Sequence, residues 1–250
     1  MGASELGRLM MAYAGRAKVR KAAGGEYPLR YVSQDTLVMR HESSAGAATL
    51  TALSPSNLAF TEAIAPFALA SPIPGTCLNK SPSLRPNRVA IVLHCDFDER
   101  AELLGSDLEH ESSPYLGWRA AIANPHRPQR KCAFHKVAHH GSANGDCAEI
   151  WSELLLPAPV ATLTPFRLGK HNLPNDADKA RICFKAPEAL STSTKSATRK
   201  LSRHVEKIAP RHSIYLAPSE GEFGAIRLRA ARGSNIWTTE LFGAAGRIGP

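Results

Sequence analysis

The chain has 250 residues, of which 43% are hydrophobic, so it can bury the core of one large domain or two small ones. Its longest apolar runs, at 89–93 and 154–160, are too short to cross a bilayer, and residues 1–20 lack the pattern of a signal peptide. We therefore expect a cytoplasmic protein without membrane contact. Five widely spaced cysteines without a CxxC pair argue against a disulfide framework and against a thiolate zinc site.

The formal net charge of +9 favours polyanionic partners, because a basic surface attracts them over long range. The basic residues form three separate clusters, at 16–21, 127–136 and 195–207. Nucleic acid is therefore one candidate partner, and an ordinary solvated basic surface explains the charge equally well.

The first part of the chain combines helical and strand patterns. Apolar residues recur at helical spacing near the start, and short β-branched and aromatic runs follow. The expected elements are a helix at 3–22, strands at 27–32, 36–40 and 48–53, a helix at 58–69 and a Pro- and Ser-rich loop at 71–87.

Further along, strands alternate with helices, which predicts an α/β fold with helical layers around a sheet. The expected strands are 88–95, 101–105, 132–138, 160–164, 213–216, 224–229 and 236–241; the expected helices are 109–123, 148–155 and 176–184. The Ser-, Thr- and Lys-rich stretch 186–204 is expected to be a mobile surface segment. We divide the chain into an N-terminal helix and strands (1–47), an α/β domain (48–242) and a flexible tail (243–250).

Two short stretches carry residues suited to chemistry. Asp107 follows an apolar strand and Gly105-Ser106, so its carboxylate can leave the sheet edge without being buried unpaired. His139 and His140 follow a second strand and precede Gly141-Ser142. Carboxylate and neutral imidazole together suit zinc, manganese or iron. Taken singly, such an aspartate is commonly a turn or cap residue, and a His-His pair is commonly a surface feature.

The order of these stretches resembles the later motifs of the metallo-β-lactamase superfamily. It is most similar to the branch that includes the hydrolase domain of the DNA-uptake protein ComEC. The run from Asn87 to Leu93 matches the strand before the aspartate motif, Gly105-Ser106-Asp107 matches that motif, and His139-His140-Gly141-Ser142 matches the histidine motif. The similarity covers about residues 48–185.

The resemblance implies the C-terminal half of an αββα-type metallo-β-lactamase fold and a metal-dependent hydrolase. It implies two zinc ions, or manganese, with Asp107 bridging the metals and one histidine of the pair completing the second site. His139 is slightly favoured over His140. All three residues are then catalytic, and a phosphodiester or nucleic-acid substrate is suggested. Asp107 and the histidine pair must also converge at one sheet edge, within about 6 Å in the absence of metal.

The family's earlier signature, His-x-His-x-Asp-His, is absent from the 250 residues. His135 and His171 are less favoured as replacement ligands. A catalytic zinc needs about three protein ligands. We therefore expect half a domain that binds metal weakly, has little activity alone, and exposes an apolar face for self-association or for a complementary N-terminal half, encoded upstream or separately. The alternatives are a non-catalytic interaction module of the same fold and a basic nucleic-acid-binding protein.

Overall fold

An eight-stranded sheet forms the centre of the protein. The computed structural model describes residues 31–44, 46–70, 85–168, 171–194, 224–231, 234 and 236–249. The sheet strands are β1 (Leu37–Ser43), β2 (Gly46–Ala52), β3 (Leu93–Phe97), β4 (Arg100–Leu104), β5 (Cys132–Lys136), β6 (Leu155–Leu163), β9 (Glu188–Ser191) and β12 (Gly246–Arg247).

Two small sheets and three helices complete the described elements. The small sheets pair β7 (Phe166–Leu168) with β8 (His171–Leu173), and β10 (Gly224–Arg229) with β11 (Thr238–Gly243). The helices are α1 (Asn57–Ala70), α2 (Gly117–Ala123) and α3 (Asp176–Lys185). Short helical turns lie at Pro86–Val89, His139–Gly141, Ala143–Gly145 and Ile150–Leu154. No helix in these ranges is long and apolar enough to cross a membrane.

The strand order is β1-β2-β3-β4-β5-β6-β9-β12, and the pairing changes sense in the middle of the sheet. β1 to β4 form an antiparallel meander, whereas β4, β5, β6 and β9 run parallel to one another. Parallel neighbours require crossover connections, and all their carboxyl ends lie at one edge. The loops that follow β4, β5, β6 and β9 therefore meet at that edge.

Two apolar clusters pack against the sheet. The larger one surrounds Trp118 of α2, whose indole is fully buried and donates a hydrogen bond to the Leu108 carbonyl at 3.0 Å. The smaller one joins Ile182 of α3 to Val137 and Leu163. A capping box between Asn175 and Asp178 satisfies backbone N–H groups at the start of α3, which favours a helix beginning at this position.

The structure is a mixed α/β fold, as expected, but several elements differ from those predicted. The expected strand at 88–95 is instead a helical turn followed by β3. The Ser54 hydroxyl donates to the Ala90 carbonyl and accepts from the Val92 N–H, and these hydrogen bonds take the place of strand pairing there. The helix expected at 109–123 is confined to α2; Gly117, at its first position, has a φ of +58° and separates it from the preceding loop.

Other corrections concern the end of the chain. The segment expected to be mobile, 186–204, contains β9, whose central residues are buried within the sheet. The residues expected as a flexible tail, 243–250, include β12, which pairs with β9. Both strands are too short for a clear alternating pattern. The division expected after residue 47 falls within β2 of the β1–β2 hairpin, and the elements expected at 3–22, 27–30 and 213–216 lie outside the described residues.

Two substitutions on α3 test the packing of this helix on the sheet. Ile182 is 0% exposed and Phe184 is 90% exposed. Ile182→Ala should lower the free energy of unfolding by about 2–5 kcal/mol, since it removes buried methyl groups and leaves a cavity. Phe184→Ala should change it by less than about 0.5 kcal/mol. Urea unfolding followed by circular dichroism measures both, and equal effects would contradict this placement of α3.

Candidate functional site

The loops after β4 and β5 approach each other closely at the carboxyl edge. The Gly105 N–H donates to the Lys136 carbonyl, and the His139 N–H donates to the Ser106 carbonyl, each at 2.9 Å. A Cβ at position 105 would lie 2.8 Å from the Lys136 oxygen and 2.9 Å from the Ala138 Cβ. Only glycine fits this approach, and the two candidate motifs are thereby joined.

The histidine motif has a strained backbone. His139, His140 and Gly141 have φ values of 46°, 54° and 83°, all in the left-handed region. This conformation costs about 1–3 kcal/mol for a non-glycine residue and persists only where the surroundings enforce it. At position 141 a Cβ would also lie 2.9 Å from the Ile182 Cδ1. The sharp turn directs the two imidazoles away from the core.

A buried ionic cluster stabilises the inner side of this loop. Arg181 donates to the Gly141 carbonyl at 2.7 Å and pairs with both Asp146 and Asp178. Asp146 also accepts from the Trp151 indole at 2.6 Å and pairs with Lys185 at 3.2 Å. The Arg181 guanidinium therefore connects α3 to the histidine loop through several charge-assisted hydrogen bonds.

Asp107 and His140 come together at the mouth of this edge. The distance from Asp107 Oδ1 to His140 Nε2 is 3.7 Å, within the expected 6 Å, and the Asp107 side chain is 50% exposed. His140 Nδ1 lies 2.8 Å from the Thr164 carbonyl, which only accepts, so Nδ1 carries the proton. In the neutral ring Nε2 then keeps its lone pair next to Asp107. The Phe166 ring stacks on this imidazole with centroids 5.0 Å apart.

His139 faces a different carboxylate. Its Nδ1 lies 3.2 Å from Glu109 Oε1, an ion-pair distance, but the alignment is not that of a hydrogen bond, so Nδ1 is a buried polar atom without a hydrogen-bond partner. Glu109 Oε1 accepts from the Asn87 amide at 2.8 Å. The geometry thus favours His140, and not the slightly preferred His139, as the partner of Asp107.

Lys136 places a positive charge beside the candidate site. This residue ends β5, and its ammonium lies close enough to Asp107 to interact electrostatically. Burial lowers the pKa of Lys136, and the Asp107 carboxylate opposes that shift. The edge therefore presents both signs of charge to a ligand.

His135 belongs to the core and not to the site. It is 1% exposed, lies edge-on to Trp118 and Trp151, and its Nδ1 is 3.4 Å from the Leu103 carbonyl. Burial lowers its pKa to about 4. His171 begins β8, and its side chain lies outside the described part of the chain. Within that part, no group of three or more His, Cys, Asp or Glu side chains is arranged to hold a metal ion.

Glu109 was not among the candidate site residues predicted from the sequence. Asp107 and Glu109 are separated by the fully buried Leu108. An apolar residue between two acidic ones is a sequence signal that could have indicated Glu109, because the apolar side chain turns to the core and leaves both carboxylates outside. Thr164 and Phe166 could not be identified from the sequence, because their contact with His140 depends on the path of the chain after β6.

Comparisons with family models, with curated proteins and with solved structures find no match to this chain.

Gly141→Ala tests the strained turn. The substitution adds a Cβ where φ is +83° and where Ile182 and Leu163 leave no space, so it should lower the free energy of unfolding by about 1–3 kcal/mol. Gly249→Ala is the matched control, because no atom lies within 4 Å of the added Cβ. Thermal unfolding by calorimetry compares the two, and a neutral Gly141→Ala would show that the turn is not constrained.

The buried His135 predicts a pH dependence of stability. Its folded-state pKa of about 4 lies below the ordinary value of 6.5, so between these values the unfolded chain binds a proton that the folded chain does not. Stability should fall as the pH drops from about 6.5 towards about 4. His135→Gln removes this titration, so the stability difference between wild type and variant should shrink on acidification. Urea unfolding at several pH values measures the difference, and a constant value would contradict the assignment.

Proposed function

We propose that this chain forms the C-terminal half of a metallo-β-lactamase-type fold and contributes ligands to a metal-dependent hydrolase site. The observation that carries the proposal is the 3.7 Å separation of Asp107 Oδ1 and His140 Nε2 at the carboxyl edge of parallel strands. The two motifs that suggested the family are thus adjacent in space although 31 residues of sequence lie between Asp107 and His139.

The donor set fits zinc or manganese. Ligand atoms that share one zinc ion lie roughly 3–3.5 Å apart, because each metal–ligand bond is about 2.0–2.2 Å. The observed separation requires only a small side-chain adjustment. His140 also has the usual outer contact of a metal-binding histidine, since its Nδ1–H donates to the Thr164 carbonyl and fixes the ring.

His139 is proposed as a second histidine of the site after a side-chain rearrangement, because Asp107, His139 and His140 as they stand are not arranged to hold one ion. Its Nδ1 lies 3.2 Å from Glu109 Oε1, so a small rotation of either side chain would give the hydrogen bond from imidazole to carboxylate that is typical of metal-binding histidines. That contact leaves Nε2 as the nitrogen for a ligand. Glu109 and Asn87 then act as positioning residues, with the Asn87 amide fixing the carboxylate.

A metal ion bound here would supply a hydroxide nucleophile at neutral pH and polarise the substrate. The residues of this chain would orient the reacting groups. Asp107 contributes an oxygen and negative charge, His140 contributes a rigidly held nitrogen, and Lys136 offers a cation for an anionic substrate. The net charge of +9 and the resemblance described above favour a phosphodiester substrate, such as nucleic acid.

The site also needs donors beyond these residues. Asp107 with two histidines falls short of two metal sites, so we propose a complementary half-domain that carries the His-x-His-x-Asp-His motif. The exposure of the first sheet strand supports such a partner or self-association. Leu37, Val38 and Met39 of β1 are 48%, 41% and 43% exposed, and an edge strand offers backbone groups for pairing.

Metal titration of the protein tests the proposal. Zinc or manganese should bind weakly, and Asp107→Ala or His140→Ala should each weaken binding by about tenfold or more, because each removes one of few ligands. His41→Ala is the matched control, since His41 is exposed on β1 at the far end of the strand order. Isothermal titration calorimetry measures the affinities.

Three outcomes of this titration are informative. Equal binding by all four proteins would refute Asp107 and His140 as ligands and would favour the non-catalytic interaction module. In a fifth protein, His139→Ala, a loss of binding that His140→Ala does not show would transfer the role to His139. Two tightly held ions per chain after dialysis would show that the proposed shortage of ligands is wrong.

A further inference from the structure

A basic cavity lies at the same edge of the sheet as His140. Its volume is about 130 Å3, whereas one water needs about 10–15 Å3, so it accommodates a group of several atoms. Three cationic residues line it, one from each of three elements: Arg167 of β7, Lys179 of α3 and Arg247 of β12. The convergence of separate elements distinguishes it from a run of basic residues on one surface strand.

The neutral lining of the cavity is also polar. Asn172, Ser191 and Thr194 contribute an amide and two hydroxyls. No carboxylate is among the described residues that line it. The acidic neighbours lie outside: Asp176 pairs with Lys179 at 2.7 Å, and Glu188 lies 4.0 Å from Arg247.

Arg167 is the cation best placed to bind a ligand. In the described part of the chain, no ion pair joins its guanidinium to a carboxylate, in contrast to Lys179 and Arg247. A guanidinium offers two parallel N–H donors that match the oxygens of a phosphate. The positive charge in the cavity is therefore not neutralised by its own lining.

The cavity adjoins the candidate metal ligand through three residues. Pro165 lines the cavity and directly follows Thr164, whose carbonyl accepts from His140. Phe166, which stacks on His140, immediately precedes Arg167. Pro174 also lines the cavity, and its Cβ lies 3.4 Å from where a Cβ of Gly141 would be. A ligand in the cavity is thus a near neighbour of the histidine loop.

We propose that this cavity binds a phosphate group. In a nucleic-acid substrate this would be the phosphate next to the reacting phosphodiester bond along the nucleic-acid strand. This second statement rests on the proposed hydrolase function, whereas the first stands on the cavity alone. A carboxylate would engage one guanidinium, but a phosphate has enough oxygens to accept from Arg167, Lys179 and the Asn172 amide together. The Ser191 and Thr194 hydroxyls already donate to the Ser193 and Ala244 carbonyls.

The first experiment measures phosphate binding without metal. Inorganic phosphate is titrated into the full chain in the presence of a chelator, and backbone amide NMR shifts are followed. We expect saturable binding to one site, with shifts in residues 165–167 and 191–194. Arg167→Gln should weaken binding by about tenfold or more, because a charge-assisted bond is lost. Arg229→Gln, the same change on an exposed residue of β10, should change the affinity less than about twofold.

Controls separate a local effect from misfolding. Arg167→Lys keeps the charge but loses the paired donors, so its affinity should lie between those of wild type and Arg167→Gln. Acetate should bind at least about tenfold more weakly than phosphate. Non-saturable phosphate binding, an equal loss in Arg229→Gln, or equal affinity for acetate would each overturn the phosphate site.

A second experiment tests the substrate. Thymidine dinucleotides with and without a 5′-phosphate, pTpT and TpT, are titrated into the same metal-free proteins. The extra phosphate should raise the affinity of wild type by about tenfold, and that gain should disappear in Arg167→Gln but persist in Arg229→Gln. Equal binding of pTpT and TpT by wild type would refute the substrate assignment. If the metal titration refutes Asp107 and His140 as ligands while phosphate binding persists, the hydrolase proposal falls and the phosphate site stands.

Discussion

The close contact between the loops that follow β4 and β5 is the constraint on which the site depends. Parallel pairing of Leu103 with His135 and of Leu104 with Lys136 ends both strands at the same level. The Gly105 N–H then reaches the Lys136 carbonyl, and the absence of a Cβ allows the backbones to approach. A residue with a side chain at this position would force the loops apart and separate Asp107 from the histidines.

The rest of the carboxyl edge follows from the same parallel arrangement. β6 and β9 continue the order beyond β5, so their ends bring Thr164 to His140 and Ser191 to the basic cavity. The Arg181 cluster behind the histidine turn offsets the strain of its backbone. Its buried charge-assisted bonds to Gly141 and Asp146 stabilise this path of the loop. Metal-binding side chains and phosphate-binding side chains would then contact the same substrate from adjacent loops.

Much of this arrangement could be predicted from sequence, for identifiable reasons. The leucine pair that ends β4, the glycine after it and the His-His-Gly turn are local patterns, so Asp107, His139 and His140 were candidates from the sequence alone. The resemblance predicted their convergence, and Asp107 does lie beside His140. Glu109, Thr164 and Arg167 were not, since their roles depend on contacts between loops distant in sequence. β9 and β12 were missed because short strands are determined by their neighbours in the sheet. The choice between His139 and His140 required the ring contacts of Glu109 and Thr164.

The central claim is that His140 offers Nε2 to a metal beside Asp107. Nitrogen-15 NMR of the imidazole side chains tests it directly, because the two ring nitrogens have different shifts in each tautomer. Neutral His140 should carry its proton on Nδ1, and zinc should shift its Nε2 resonance in wild type but not in Asp107→Ala. A proton on Nε2 of neutral His140, or a zinc-induced shift of Nε2 that Asp107→Ala leaves unchanged, would contradict the shared site.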